Sequence, residues 1–100
     1  MTKSAKIKKI KAIINEWGIN NNELHLNEKP IVIMETRTSR YQIEDMNING
    51  GMLAKYVNNE RQYYREIEYD KFLVKDIDEM LVVVENYVEH MNSVLDQHSI

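Results

Sequence analysis

Two hydrophobic periods divide the chain. Ile7, Ile10, Ile13, Ile14 and Trp17 recur at spacings of three and four, the helical period, so residues from Ser4 to Trp17 present one apolar stripe. Ser4 is placed to N-cap this helix through its hydroxyl, and Gly18 to end it in the left-handed conformation that costs glycine nothing.

After Asn20-Asn21-Asn22 the period changes to two. Leu24 and Leu26 flank His25, and Glu28-Lys29-Pro30 turns the chain into Ile31-Val32-Ile33-Met34. That segment is apolar on both alternations, the pattern of a central strand covered on both faces. Arg37 to Arg40 reads as a turn, Tyr41 to Ile48 as the next strand, and Asn49-Gly50-Gly51 as the strongest turn signal, because Asn and Gly accept positive φ. Met52 to Val57 is expected to pair back across it. Asn58-Asn59-Glu60 forms a second turn before Arg61 to Tyr69, where Tyr63, Ile67 and Tyr69 alternate with Tyr64, Glu66 and Glu68. Connections this short favour an antiparallel meander of about five strands.

The helical period returns at Asp76, with Glu79 three positions on, the spacing of a capping box. Ile77, Met80, Leu81, Val84, Tyr87, Val88, Met91, Val94 and Leu95 then hold one stripe. Val82, Val83 and Val84 each disfavour helix by a few tenths of a kcal/mol, whereas burial stabilises by roughly 1.5 to 3 kcal/mol per large side chain, so packing decides. The predicted fold is a single α+β domain over residues 1–100: an N-terminal helix, the meander, and a long C-terminal helix packed across the sheet.

Composition narrows the class. Apolar residues make up 43% and charged residues 29% of the 100, with one proline, which excludes the disordered and low-complexity classes. The chain has no cysteine, which removes disulfides, thiolate metal sites and thiol nucleophiles and makes the cytoplasm the default location. Lysines interrupt every apolar pair near Met1, so no signal-peptide core forms there. The longest apolar run, Met80 to Val84, is far short of the roughly 20 residues of a membrane span.

The net charge of −3 conceals an uneven distribution. Lys3, Lys6, Lys8, Lys9 and Lys11 crowd the first helix without an acid among them, although the helix dipole there disfavours positive charge. Asp76, Asp78, Glu79, Glu85, Glu89 and Asp96 occupy the last 25 residues with no Lys or Arg.

Candidate chemistry is sparse. No metal-ligand partner sits three or four residues from His90, and the serines lack a nucleophile motif. Glu35, Glu44, Glu66 and Glu68 are the carboxylates that a metal-dependent hydrolase built on a sheet would use, but their spacing is unspecific. No catalytic, cofactor or metal residue is assigned.

A nucleic-acid-binding regulator would draw on Lys6, Lys8, Lys9 and Lys11 with Arg37, Arg40, Tyr63 and Arg65, cations meeting phosphate and rings stacking on bases. The acidic C-terminal segment opposes it. The leading expectation is therefore a small non-catalytic module that binds a protein partner or a second copy of itself. Met80, Val83, Tyr87, Met91 and Val94, along one edge of a stripe wider than a small sheet requires, are the candidate contact residues.

Overall fold

The computed structural model describes residues 1–20, 23–25 and 30–98. Helix α1 (Lys3–Trp17) leads through a 3-10 turn (Glu23–His25) into strands β1 (Ile31–Glu35), β2 (Ser39–Glu44), β3 (Gly50–Val57) and β4 (Glu60–Glu68). A second 3-10 turn (Tyr69–Lys71) then joins β4 to helix α2 (Val74–His98). The sheet is an antiparallel meander in the order β1-β2-β3-β4. Among the described residues it has four strands rather than about five, because Glu23–His25 forms a 3-10 turn where a strand was expected; Leu26 lies outside the described residues.

The element ends have local causes. Thr2, not Ser4, caps α1: its Oγ1 accepts from the Ala5 N–H at 3.1 Å. Gly18 adopts φ 58° and ψ 39°, and the Ile19 N–H reaches the Ile14 carbonyl at 3.0 Å, which places Ile19 in the core as the chain leaves the helix. Helix α2 begins two residues before Asp76. The Asp76 and Ile77 N–H groups both donate to the Leu73 carbonyl, so Asp76 is a buried first-turn residue rather than the cap.

Both β-hairpin turns of the β2-β3-β4 unit depend on asparagine. Asn58 and Asn59, at φ 50° and 67°, make the two-residue turn between β3 and β4. Between β2 and β3 the turn lies earlier than Asn49-Gly50-Gly51. Asp45 takes φ 46°, and the Asn47 Oδ1 accepts from the Asn49 and Gly50 N–H groups at 2.8 and 3.0 Å. Gly50 and Gly51 are strand residues. A Cβ on Gly50 would stand 1.9 Å from the Ile67 carbonyl oxygen, so close strand approach demands glycine there.

Strand β1 lies at an edge of the sheet, not at its centre. Its pairing with β2 shifts register at Ile33, so Ile31 and Met34 share one face and Val32 and Glu35 the other. Val32 and Met34 remain 43% and 54% exposed, which is why the apolar run did not require cover on both faces.

Helices α1 and α2 lie side by side on one face of the sheet. They run in the same direction: Lys6 meets Asp78 and Lys9 meets Glu85. The core joins Ile10 and Ile14 of α1, Ile77, Met80, Leu81 and Val84 of α2, Ile31 and Ile43 of the sheet, and Tyr69 and Phe72 from the final connection. Met80 crosses the sheet over Gly51, where an added Cβ would lie 3.6 Å from its Cε. Tyr69 ties the layers together, since its hydroxyl donates to the Asn47 carbonyl at 2.5 Å while its ring is 1% exposed.

Candidate functional site

The lysines of α1 are largely committed within the fold. Lys6 Nζ stands 2.5 Å from Asp78 Oδ1 and Lys9 Nζ 3.5 Å from Glu85 Oε1. Lys3 Nζ donates to the Asp70 carbonyl at 2.8 Å, and Lys11 Nζ lies 6.0 Å from the Tyr69 ring centroid. The basic start of the sequence thus faces the acidic end, an arrangement the parallel helices impose. Lys8 is exposed.

The sheet divides the arginine and tyrosine residues between its two faces. Register places Tyr41, Lys55, Tyr63, Leu53 and Arg65 on the helix side and Arg40, Gln42, Glu44, Tyr56 and Tyr64 on the side without a helix. Arg37 stands apart, exposed in the connection between β1 and β2. The nucleic-acid candidates Arg40, Tyr63 and Arg65 therefore do not share a surface.

On the helix-free face a polar network substitutes for a packing layer. Arg40 Nε donates to Gln42 Oε1 at 2.7 Å, Gln42 Nε2 donates to Glu44 Oε2 at 2.9 Å, and the Tyr56 hydroxyl donates to the same Glu44 oxygen at 2.7 Å. The Tyr64 hydroxyl donates to Asp45 Oδ2. Arg40 stacks on Tyr56 at 5.0 Å and Arg61 on Tyr64 at 4.3 Å. Beneath these side chains Ala54 is completely covered and Gln42 is 5% exposed.

The electrostatics follow from those bonds. The Glu44 hydrogen bond, then burial, raises the Tyr56 pKa, and burial followed by the Asp45 hydrogen bond pushes Tyr64 up to about 12. Each hydroxyl keeps its proton because it donates to a carboxylate. Both rings are engaged by guanidinium groups rather than open to a base.

Glu35, Glu44, Glu66 and Glu68 all belong to this helix-free face, since they pair with Arg40, Met52 and Gly50 across the ladders. Among the described residues, however, no group of three or more His, Asp or Glu could hold a metal ion. Glu44 is occupied by Tyr56 and Gln42.

The candidate contact residues of α2 are not one surface. Met80 is completely buried, and Val83 and Tyr87 pack half-buried against the core. Burial raises the Tyr87 pKa, with a smaller push from Glu23. Met91 and Val94 remain half-buried in the last turns, and Leu95, expected on the stripe, is 55% exposed.

What the structure does assemble is a shallow apolar groove of about 390 Å³ between the start of β1 and the outer side of α2. Pro30, Ile31 and Val32 form one wall, and Val82 and Val83 the other, with Asp78 and Glu79 at the rim. Val82 is 55% exposed. Val82 is absent from the periodic stripe of α2, and its neighbourhood here depends on β1 being an edge strand. Among the described residues, no helix is long and apolar enough to cross a membrane. No family model matches the chain, and no curated protein or solved structure shows significant similarity to it.

Proposed function

We propose that the protein is a non-catalytic interaction module whose partner is a protein, engaged through the sheet edge and the long helix. One observation carries this reading: an apolar groove lined by Pro30, Ile31 and Val32 at the sheet edge and by Val82 and Val83 of the long helix, with Val82 55% exposed, joins two different elements. Contiguous exposed apolar surface rimmed by charge is the usual mark of an interaction site, whereas isolated exposed apolar residues are ordinary. The commitment of Lys6 and Lys9 to Asp78 and Glu85 weighs against the nucleic-acid alternative, because it removes two of the cations that would meet phosphate.

The test compares proteins retained by the immobilised full chain with those retained by Val82→Asp. At least one protein should be retained about tenfold more by the wild type, about 1.4 kcal/mol of binding free energy. Identical retention by the two, together with a monomeric mass in light scattering, would refute the reading.

A further inference from the structure

We infer that the open edge of β1 receives an extended segment of the partner protein, one that adds a fifth strand, alternates apolar residues and carries a lysine or arginine to meet Glu79. The inference rests on the protein-binding reading and specifies the chemistry of that partner.

The sheet has two edges, and they are built differently. β4 exposes Glu60, Arg61, Arg65, Glu66 and Glu68 and breaks register beside Arg61, the charge and bulge that discourage strand addition. β1 reads Ile31-Val32-Ile33-Met34-Glu35 and has no lysine or arginine. Its guards are its shortness, Pro30 before it and the irregularity at Ile33. On the side away from β2, alternate residues of an edge strand turn their N–H and C=O groups outward, ready for pairing.

Helix α2 extends the support for such a strand. Its main strand contact is with β1, and Glu79, Val82 and Val83 line the groove beside that strand. A neighbouring strand sits about 4.8 Å from its partner, so a fifth strand would have the groove beneath one of its faces. The groove volume of about 390 Å³ is toward the small end for ligand pockets, a size suited to one or two apolar side chains rather than to a flat helix.

Charge then selects the occupant. Asp78 is held by Lys6, but Glu79 makes no ion pair among the described residues and stands at the rim of an apolar surface. The β1 strand of a second copy would itself bring Glu35 and no lysine or arginine. A partner strand with a basic residue beside Glu79 satisfies it, and like-charge juxtaposition disfavours an acidic one.

The test selects random displayed peptides of about twelve residues, long enough to span a strand, on the full chain, with Val82→Asp as the counter-selection. Enriched peptides should alternate apolar residues and contain Lys or Arg, and should bind at least about tenfold more weakly after N-methylation of alternate backbone amides. Glu79→Lys, at an exposed position, should reverse the preference toward acidic peptides and serves as the second variant should Val82→Asp alter folding. Enrichment of helical-period sequences, indifference to N-methylation, an unchanged charge preference in Glu79→Lys, or no enrichment at all would each overturn the inference. Loss of the strand result with Val82-dependent capture of whole proteins intact would leave the interaction-module reading standing; loss of both would end both. Dimerisation through β1 in light scattering, abolished by Val82→Asp, would replace the basic partner with a second copy and overturn the inference.

Discussion

Replacing Lys6 with Met and Asp78 with Asn, singly and together, measures how far the basic start and acidic end of this chain are spent on one another. The Nζ to Oδ1 distance is 2.5 Å, with the two side chains 20% and 49% exposed. Two unit charges at 4 Å attract by about 1 kcal/mol in water and about 4 kcal/mol at an effective dielectric of 20, but desolvation and side-chain ordering offset most of this. Exposed pairs retain about 0.2 to 1 kcal/mol in double-mutant cycles. Because Lys6 is mostly covered, the coupling energy is expected in the upper half of that range, about 0.5 to 1 kcal/mol. The Lys9–Glu85 pair, at 3.5 Å with both side chains nearly half exposed, should give less, about 0.2 to 0.5 kcal/mol.

Urea denaturation of the four proteins, followed by far-ultraviolet circular dichroism, provides the assay, with unchanged m-values as the condition for comparing midpoints. Raising salt to about 1 M shortens the Debye length to about 3 Å and should reduce the coupling by at least half. Strictly additive single replacements, at low salt, would refute the argument. The lysines would then be energetically free, and their availability to a polyanion would have to be reconsidered.

Other perturbations test the remaining joints of the fold. Gly50→Ala forces a Cβ against the Ile67 carbonyl and should cost at least about 2 kcal/mol or abolish folding, read from the thermal midpoint. Asn47→Ala removes the acceptor for the Asn49 and Gly50 N–H groups and should cost about 1 to 2 kcal/mol in the same measurement. Burial raises the Tyr69 pKa above the ordinary value of about 10, so its contribution is complete below that pH. Above it the unfolded chain releases a proton that the folded chain retains, and stability should fall by up to about 1.4 kcal/mol per pH unit from this group. Tyr69→Phe should lose that component of the alkaline slope; an identical slope in the variant would refute it. Single-stranded oligonucleotides should not bind appreciably at about 50 mM salt, whereas binding with a steep salt dependence would revive the role of Lys8, Arg37 and Arg65.

Both helices were legible because their stripes exceed local propensity, and Gly18 marked the end of α1 by its conformation. The turn at Asn58-Asn59 was legible for the same kind of reason, since both residues take positive φ. The preceding turn was misplaced because glycine has two uses: Gly50 serves close approach to Ile67, while the reversal is made by the side chain of Asn47. The position of β1 failed for another reason. Apolar residues on both alternations imply contact on both faces only in a regular strand, and the register shift at Ile33 breaks that equivalence. The network of Gln42, Glu44, Asp45, Tyr56 and Tyr64 had no sequence signal, because its members come from different strands whose register is a tertiary property.

The lysines of the first helix, which a polyanion partner would draw on, acquire other partners once the helices are placed. Parallel packing turns Lys6 and Lys9 toward Asp78 and Glu85, so the basic stripe is neutralised on the flank where α1 and α2 meet. The sheet splits its cations between two faces: Arg40 and Arg61 stack on tyrosines at the helix-free face, while Lys55, over the Tyr41 ring, and Arg65 lie on the other. Among the described residues, the arginines that the sheet supplies are thus divided between its two faces rather than set in one row along a phosphate backbone. Beside Val82 and the edge of β1, α2 presents Glu79 together with the Lys6-bound Asp78. An edge strand confers affinity through backbone pairing that is indifferent to sequence, so discrimination must come from the groove and its rim. On the proposed docking of a strand there, an acidic rim would disfavour acidic strands, including the chain's own β1 with Glu35 at its end, and favour basic ones.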